Sequence, residues 1–88
     1  MIFTVYILRM INNGLYIGQT DNLHERLILH KKHLGAKFTK DNYDFRLAYT
    51  EEYETRLESI RREKQLKEWS RAKKEALIVG DLSKLKAL

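Results

Sequence analysis

The chain predicts an α+β fold: a three-stranded, mostly antiparallel sheet flanked by helices, in the order β-β-α-β-α-α. Three observations carry this reading. Two apolar, β-branched or aromatic runs, Ile2–Leu8 and Leu15–Gly18, are joined across Asn13-Gly14, a dipeptide that strongly favours hairpins. A third such run, Phe45–Thr50, comes only after a segment of helical period. Two further helical segments fill the C-terminal third, each preceded by a residue suited to cap it.

Ile2–Leu8 is apolar on both faces, which suits a central strand. The hairpin can close in two ways. A two-residue loop at Asn13-Gly14 pairs Met10 with Ile17 and puts Tyr6 and Tyr16 on opposite faces. A three-residue loop over Asn12–Gly14, with Gly14 left-handed, pairs Met10 with Tyr16 and puts both tyrosines on one face. Gly18 is expected to end the second strand. Asn22 and Glu25 have the spacing of a capping box for a helix from Leu23 to Leu34, closed by Gly35. Its stripe is Leu23, Leu27, His30 and Leu34, with Arg26 on the border. Residues 36–44 read as a loop. Phe45, Leu47 and Tyr49 alternate along the third strand. The second helix spans Thr55–Trp69 with Leu57, Ile60, Leu66 and Trp69 apolar, and Glu63 falls near the middle of that arc. Ser70 caps a helix over Arg71–Val79 that Gly80 closes, and Asp81 caps a last turn presenting Leu82 and Leu85.

At 88 residues the expectation is one domain, residues 1–88. The absence of cysteine excludes disulfides and thiolate metal sites. No apolar run reaches the roughly 18 residues a membrane helix needs. With no basic leader before the first strand, a cytoplasmic protein is expected. The net charge is +5, and it is unevenly placed. Residues 1–54 carry seven Lys/Arg and seven Asp/Glu, whereas residues 55–88 carry ten and five. A second basic stretch runs from His24 to Lys40. Basic clusters attract polyanions, so Lys31, Lys32, Lys37, Lys40, Lys67 and Arg71 are candidate nucleic-acid contacts.

Five residues are candidates for chemistry. Arg26 and His30, four apart, share one helical face. Taken singly, the first is an ordinary snorkelling arginine and the second a histidine at the core edge. Tyr6 and Tyr16 are by themselves sheet aromatics, and Glu63 an edge carboxylate paired with a neighbouring cation. Together they are a set. Arginine offers a fork matched to phosphate oxygens. One carboxylate with waters suits Mg²⁺. Tyrosine and histidine can pass a proton to or from water. These are the parts a phosphodiester hydrolase needs. A protein-interaction surface built on Trp69, Leu82, Leu85 and Leu88 is the reading from a different class.

The string VYIL…G-LYIG…L-ER-L-H…REK-LK-W resembles the GIY-YIG nuclease superfamily, specifically its small stand-alone members of the UPF0213 kind, over almost the whole chain. Thr4-Val5-Tyr6 falls on the first motif and Tyr16-Ile17-Gly18 on the second. Arg26, His30 and Glu63 fall on the helix arginine, the histidine one turn later and the metal-binding glutamate. The resemblance implies both tyrosines on one face, and hence the three-residue hairpin loop or an equivalent bulge. It implies a metal-dependent DNA endonuclease using one Mg²⁺ or Mn²⁺ ion. Glu63 would hold the metal, Arg26 would stabilise phosphoryl charge, and Tyr16, His30 and Tyr6 would handle the attacking water. A chain this small offers little surface for reading a long sequence, so branched, damaged or single-stranded DNA is the expected substrate. The expected state is a monomer or weak homodimer, with no small-molecule cofactor.

Overall fold

The computed structural model describes residues 1–37 and 45–87, the first segment with side chains as far as Lys32. The elements are β1 (Phe3–Met10), β2 (Leu15–Thr20), α1 (Leu23–Lys37), β3 (Phe45–Tyr53), α2 (Arg56–Glu68), α3 (Arg71–Val79) and α4 (Leu82–Ala87). The sheet has the order β2-β1-β3 and both pairings are antiparallel. β1 is therefore central, as its unbroken apolar run requires: Val5, Ile7 and Leu8 are fully buried.

The hairpin puts both tyrosines on one face by a loop one residue earlier than expected. Leu8 stands opposite Tyr16, and Tyr6 opposite Gly18. The loop is Ile11–Asn13, closed by Met10 N–H to the Gly14 carbonyl at 2.8 Å and Asn13 N–H to the Met10 carbonyl at 2.8 Å. Asn13, not Gly14, takes the left-handed conformation, with φ 69°. Asparagine tolerates that region better than most residues. The Asn12 side chain in turn accepts from Gly14 N–H at 2.9 Å.

Two other boundaries move. Gly18 does not end β2, which continues to Thr20. Gly35 does not close α1, which continues to Lys37; one glycine costs a helix interior only about 1 kcal/mol. Residues 38–44 lie outside the described residues. Asn22 starts α1 as expected. Its side chain accepts from Glu25 N–H at 3.1 Å and donates to the Glu25 carboxylate at 3.2 Å. Ser70, Gly80 and Asp81 punctuate α3 and α4 as their types predict.

β3 departs most from simple alternation. A register shift between Ile7 and Leu8 sets Tyr49 opposite Ile7 but Leu47 opposite Leu8. The extra residue, Ala48, makes a bulge, which redirects the side chains beyond it. Tyr49 thus faces the core of Val5, Ile7, Ile17 and Leu66, while Leu47 and Phe45 turn to the opposite face. The strand also runs to Tyr53 rather than Thr50. Glu51 anchors that extension. Its carboxylate accepts from Tyr49 Oη at 2.5 Å, Tyr53 Oη at 2.6 Å and Arg62 Nε at 2.6 Å. Burial alone would raise its pKa, but these donors outweigh burial and hold it below the ordinary value.

α2 packs on the Val5–Ile7 face through Ser59 and Leu66, both fully buried. The expected apolar arc is corrected here. Leu57 and Ile60 are 55% and 43% exposed, so Glu63 lies beside the buried line and not at its centre. Trp69 packs against the core, flanked by the Arg62 guanidinium and Lys73 ammonium at 5.0 and 4.3 Å from its ring, and so does not join an outer patch. Leu88 lies outside the described residues.

The far end of the sheet is tied to α3. Arg9 donates twice to Glu75, at 3.0 and 2.5 Å, and once to Asn13 Oδ1 at 2.9 Å. Arg71 pairs with the same carboxylate at 2.9 Å and donates to the Asn13 carbonyl at 2.5 Å. The Arg9 hydrogen bonds, with help from Arg71, pull the Glu75 carboxyl from 4.5 down to about 2. A carboxyl depressed in the folded state contributes stability above its unfolded pKa, and that stability is lost as pH falls through the folded value. Thermal melts should therefore show Tm falling as pH drops from about 4.5 toward 2. Glu75→Gln should melt lower than the parent at neutral pH and lose less on acidification. Parallel pH profiles for the two proteins would refute this coupling.

Candidate active site

The face of the sheet away from α2 and α3 carries Tyr6, Leu8, Tyr16 and Gly18, and α1 lies over it. β1 supplies Tyr6, whose side chain is only 1% exposed. Its ring leans across the adjoining β2 backbone at Gly18. A Cβ at that position would lie 2.5 Å from Tyr6 Oη and 2.6 Å from Cζ. A glycine inside a strand commonly marks such a close approach; here it lets the phenol lie against the sheet.

α1 brings His30 onto the phenol. Tyr6 Oη and His30 Nε2 are 2.7 Å apart. Tyr16, opposite Leu8 and 45% exposed, packs edge-on against the imidazole with ring centroids 4.7 Å apart. The two phenol rings are roughly stacked at 6.4 Å. Phe45, turned to this face by the bulge, meets the imidazole edge-on at 6.3 Å. Three of the five predicted residues are therefore in direct contact. Phe45 was read only as a strand aromatic, because the bulge that redirects it has no signature in a run of FRLAYT.

Arg26 and Glu63 reach this cluster through its field. The Tyr6 hydroxyl is pushed up to about 12, first by burial and then by Tyr16; Arg26 opposes the rise and Glu63 adds to it. Arg26 sits one turn before His30 on α1, exposed to solvent. Glu63 comes from the other side. α2 lies across the opposite face of the sheet, held to the β2 side by Ser59 Oγ donating to Gln19 Oε1 at 3.2 Å and Arg56 to Asp21 at 3.1 Å. Glu63 is one turn beyond Ser59. Its side chain is 21% exposed and pairs with Lys67 Nζ at 2.7 Å. A phenol pushed up to about 12 keeps its proton at neutral pH, and its hydrogen bond to Nε2 fixes the orientation of the imidazole.

The predicted nucleic-acid contacts separate into groups. Lys31 and Lys32 are exposed on α1 directly after His30. Lys67 adjoins Glu63. Arg71 is at the hairpin end of the sheet, engaged with Glu75 and Asn13. The Lys37 side chain and Lys40 lie outside the described residues.

The donor set constrains any metal. Among the described residues no three His, Asp, Glu or Cys side chains converge as a metal site, so those residues offer no all-protein cage. Glu63 offers one half-buried carboxylate with a cation already beside it. That fits Mg²⁺ or Mn²⁺, hard ions suited to carboxylate and water oxygens; Mg²⁺ in particular keeps several waters and takes one or two carboxylates plus substrate phosphate. No helix among the described residues is long and apolar enough to cross a membrane.

Comparison with known proteins bears on the family and the fold. The GIY-YIG catalytic domain family matches residues 2–76. A UPF0213 protein of Staphylococcus saprophyticus is 36% identical over 74 residues, covering 84% of this chain and 90% of that protein. One from Natronomonas pharaonis is 35% identical over 77 residues, covering 88% and 91%. The solution NMR structure of the UPF0213 protein BH0048 from Bacillus halodurans superimposes with a TM-score of 0.60 at 35% identity, over 90% of this chain and 84% of that one. The family is one of nucleases, which generally use divalent metals. With that match over residues 2–76 and a three-stranded antiparallel sheet in the order β2-β1-β3, the chain belongs to the GIY-YIG catalytic domain family.

Proposed function

We propose that the protein is a divalent-metal-dependent endonuclease that hydrolyses phosphodiester bonds in branched, damaged or single-stranded DNA. The observation that carries this reading is the Tyr6–His30 hydrogen bond of 2.7 Å with Tyr16 packed on the same imidazole, all within the field of Arg26 and Glu63. A proton-handling pair with a guanidinium and a carboxylate acting on it is the minimum for phosphodiester hydrolysis.

Each side chain has a task. Tyr6 keeps its proton and orients His30. Tyr16, exposed beside the same ring, positions the attacking water, and His30, in the tautomer whose Nε2–H donates to Tyr6 Oη, accepts the water's proton on Nδ1. Arg26 reaches the phosphoryl oxygens as negative charge grows on them. Glu63 would hold one Mg²⁺ or Mn²⁺, which supplies Lewis-acid stabilisation of the scissile phosphate when bound. Lys31, Lys32 and Lys67 line the approach for the polyanion.

The testing experiment is a fluorescent panel of duplex, single-stranded, flap and four-way DNA incubated with Mg²⁺, Mn²⁺ or EDTA. Metal-dependent cutting of the branched or single-stranded members supports the reading. The Glu63–Lys67 ion pair also favours a second reading, a nucleic-acid-binding module without turnover. Gel shifts without cutting in any metal would establish that alternative.

Arg26 separates binding from catalysis. Arg26→Ala should lower the single-turnover rate by about 10²–10³, the usual cost of losing one donor to a developing oxyanion, with much less effect on DNA affinity. Arg26→Lys keeps the charge but loses the planar fork, and should recover only a small part of the rate. Full recovery by lysine would mean that the position supplies only charge.

A further inference from the structure

A cleft of about 360 Å³ opens at the hairpin end of the sheet, lined by Arg9, Met10, Ile11, Asn13, Phe45 and Arg46. Its size is at the lower end of small-ligand pockets. The roles of its walls differ. Met10 and Phe45 are directly paired across β1 and β3, on the face that carries Tyr6 and Tyr16. Ile11, at the hairpin tip, is 55% exposed, an apolar side chain with no core to fill. Arg9 and Arg46 are also directly paired, so two like charges face each other. Arg9 is neutralised by Glu75, whereas Arg46 has no ion pair among the described residues. The result is a cleft of mixed lining at the end of the sheet, with Met10, Ile11 and Phe45 as its apolar wall and Arg46 as its cationic one.

The recess is continuous with the site above. Phe45 touches both, since its ring meets His30 at 6.3 Å while its side chain lines the cleft. Met10 lies two residues along β1 from Leu8, the partner of Tyr16, which is about 7 Å at strand spacing. That is roughly two stacked nucleotide steps.

Resting on the nuclease reading, we infer that this cleft holds an unpaired base of the substrate strand close to the scissile phosphate. The base packs against Ile11 and Phe45, and its phosphate lies on Arg46. A paired base is held in its stack and cannot enter. The cleft would thus select flaps, gaps and single strands over intact duplex. Apolar or aromatic walls with arginine at the rim are how single strands are held without sequence preference.

Binding is measured in EDTA, where cutting plays no part. The probes are a short single-stranded oligodeoxynucleotide carrying one 2-aminopurine and the duplex of the same length. The wild-type chain should bind the single strand more tightly and change its aminopurine fluorescence. Ile11→Ser, at an exposed loop position, should weaken single-strand binding roughly 5- to 100-fold, the range for one base contact, and leave duplex binding alone. Arg46→Ala should reduce the slope of log affinity against log salt by about 0.7 for the single strand. Phe45→Leu keeps an apolar wall and should abolish the fluorescence change, with circular dichroism confirming its fold. If the protein binds the single strand but Ile11→Ser and Arg46→Ala bind it like the parent, the cleft inference is wrong and the nuclease reading stands. If neither DNA binds, both fail.

Discussion

Glu63→Gln should lower metal-dependent cleavage about a thousandfold while leaving the fold and DNA binding intact. Metal-ion stabilisation of a phosphoryl transition state is worth several kcal/mol, and about 4 kcal/mol corresponds to a thousandfold in rate. Glutamine keeps the shape of the side chain but not its charge. Stability should barely change, because the Glu63–Lys67 pair is an i,i+4 surface pair of a kind worth about 0.3–0.5 kcal/mol. DNA affinity in EDTA should hold or rise, since a negative charge has been removed from a surface that meets a polyanion. Single-turnover rates, thermal melts and EDTA binding curves together decide this. A variant that cuts at the parental rate would remove Glu63 from the chemistry.

Gly18→Ala should produce the largest loss of stability of any single-methyl addition in the sheet. The new Cβ would lie 2.5 Å from Tyr6 Oη and 2.6 Å from Cζ. The ring is buried and rigid, so it cannot yield as a flexible side chain would. Overpacking of this kind costs about 3 kcal/mol at the upper end, or roughly 12–24 °C in Tm for a domain of this size. Displacing the ring also breaks the Tyr6–His30 hydrogen bond, so activity should fall even in molecules that stay folded. The double variant Gly18→Ala/Tyr6→Leu removes the atoms that clash. It should recover most of the lost Tm and none of the cleavage. An alanine variant with parental Tm and rate would mean that the phenol is not fixed by this contact.

These two residues mark what could be read before the structure. Strand runs, the Asn-Gly hairpin and the caps at Asn22, Ser70 and Asp81 are local chemistry, and local chemistry is legible in a sequence. The pairing of both tyrosines on one face was legible only as one of two loop geometries, because a one-residue change of loop length inverts a face. Long-range features were not legible. Nothing in FRLAYTEEY announces the bulge at Ala48 that turns Phe45 toward His30 and Tyr49 toward the core. Nothing local to Glu51 announces that Tyr49, Tyr53 and Arg62 converge on it. Leu57 and Ile60 looked like core by period and are exposed, because Ser59 and Leu66 are the residues that reach the sheet. Gly18 reads as the end of a strand, whereas its place inside one, under the Tyr6 ring, depends on a tyrosine twelve residues earlier in the chain.

The most direct test of the hydrolytic site is cleavage of a flap or four-way DNA by the wild-type chain in Mg²⁺ and in EDTA, beside Glu63→Gln and Arg26→Ala purified in the same way. The site described here predicts products from the wild type in Mg²⁺ alone, with both variants losing at least about a hundredfold. Equal nicking by all three proteins would trace the activity to a contaminant, and the tyrosine–histidine corner would then have no demonstrated hydrolytic role.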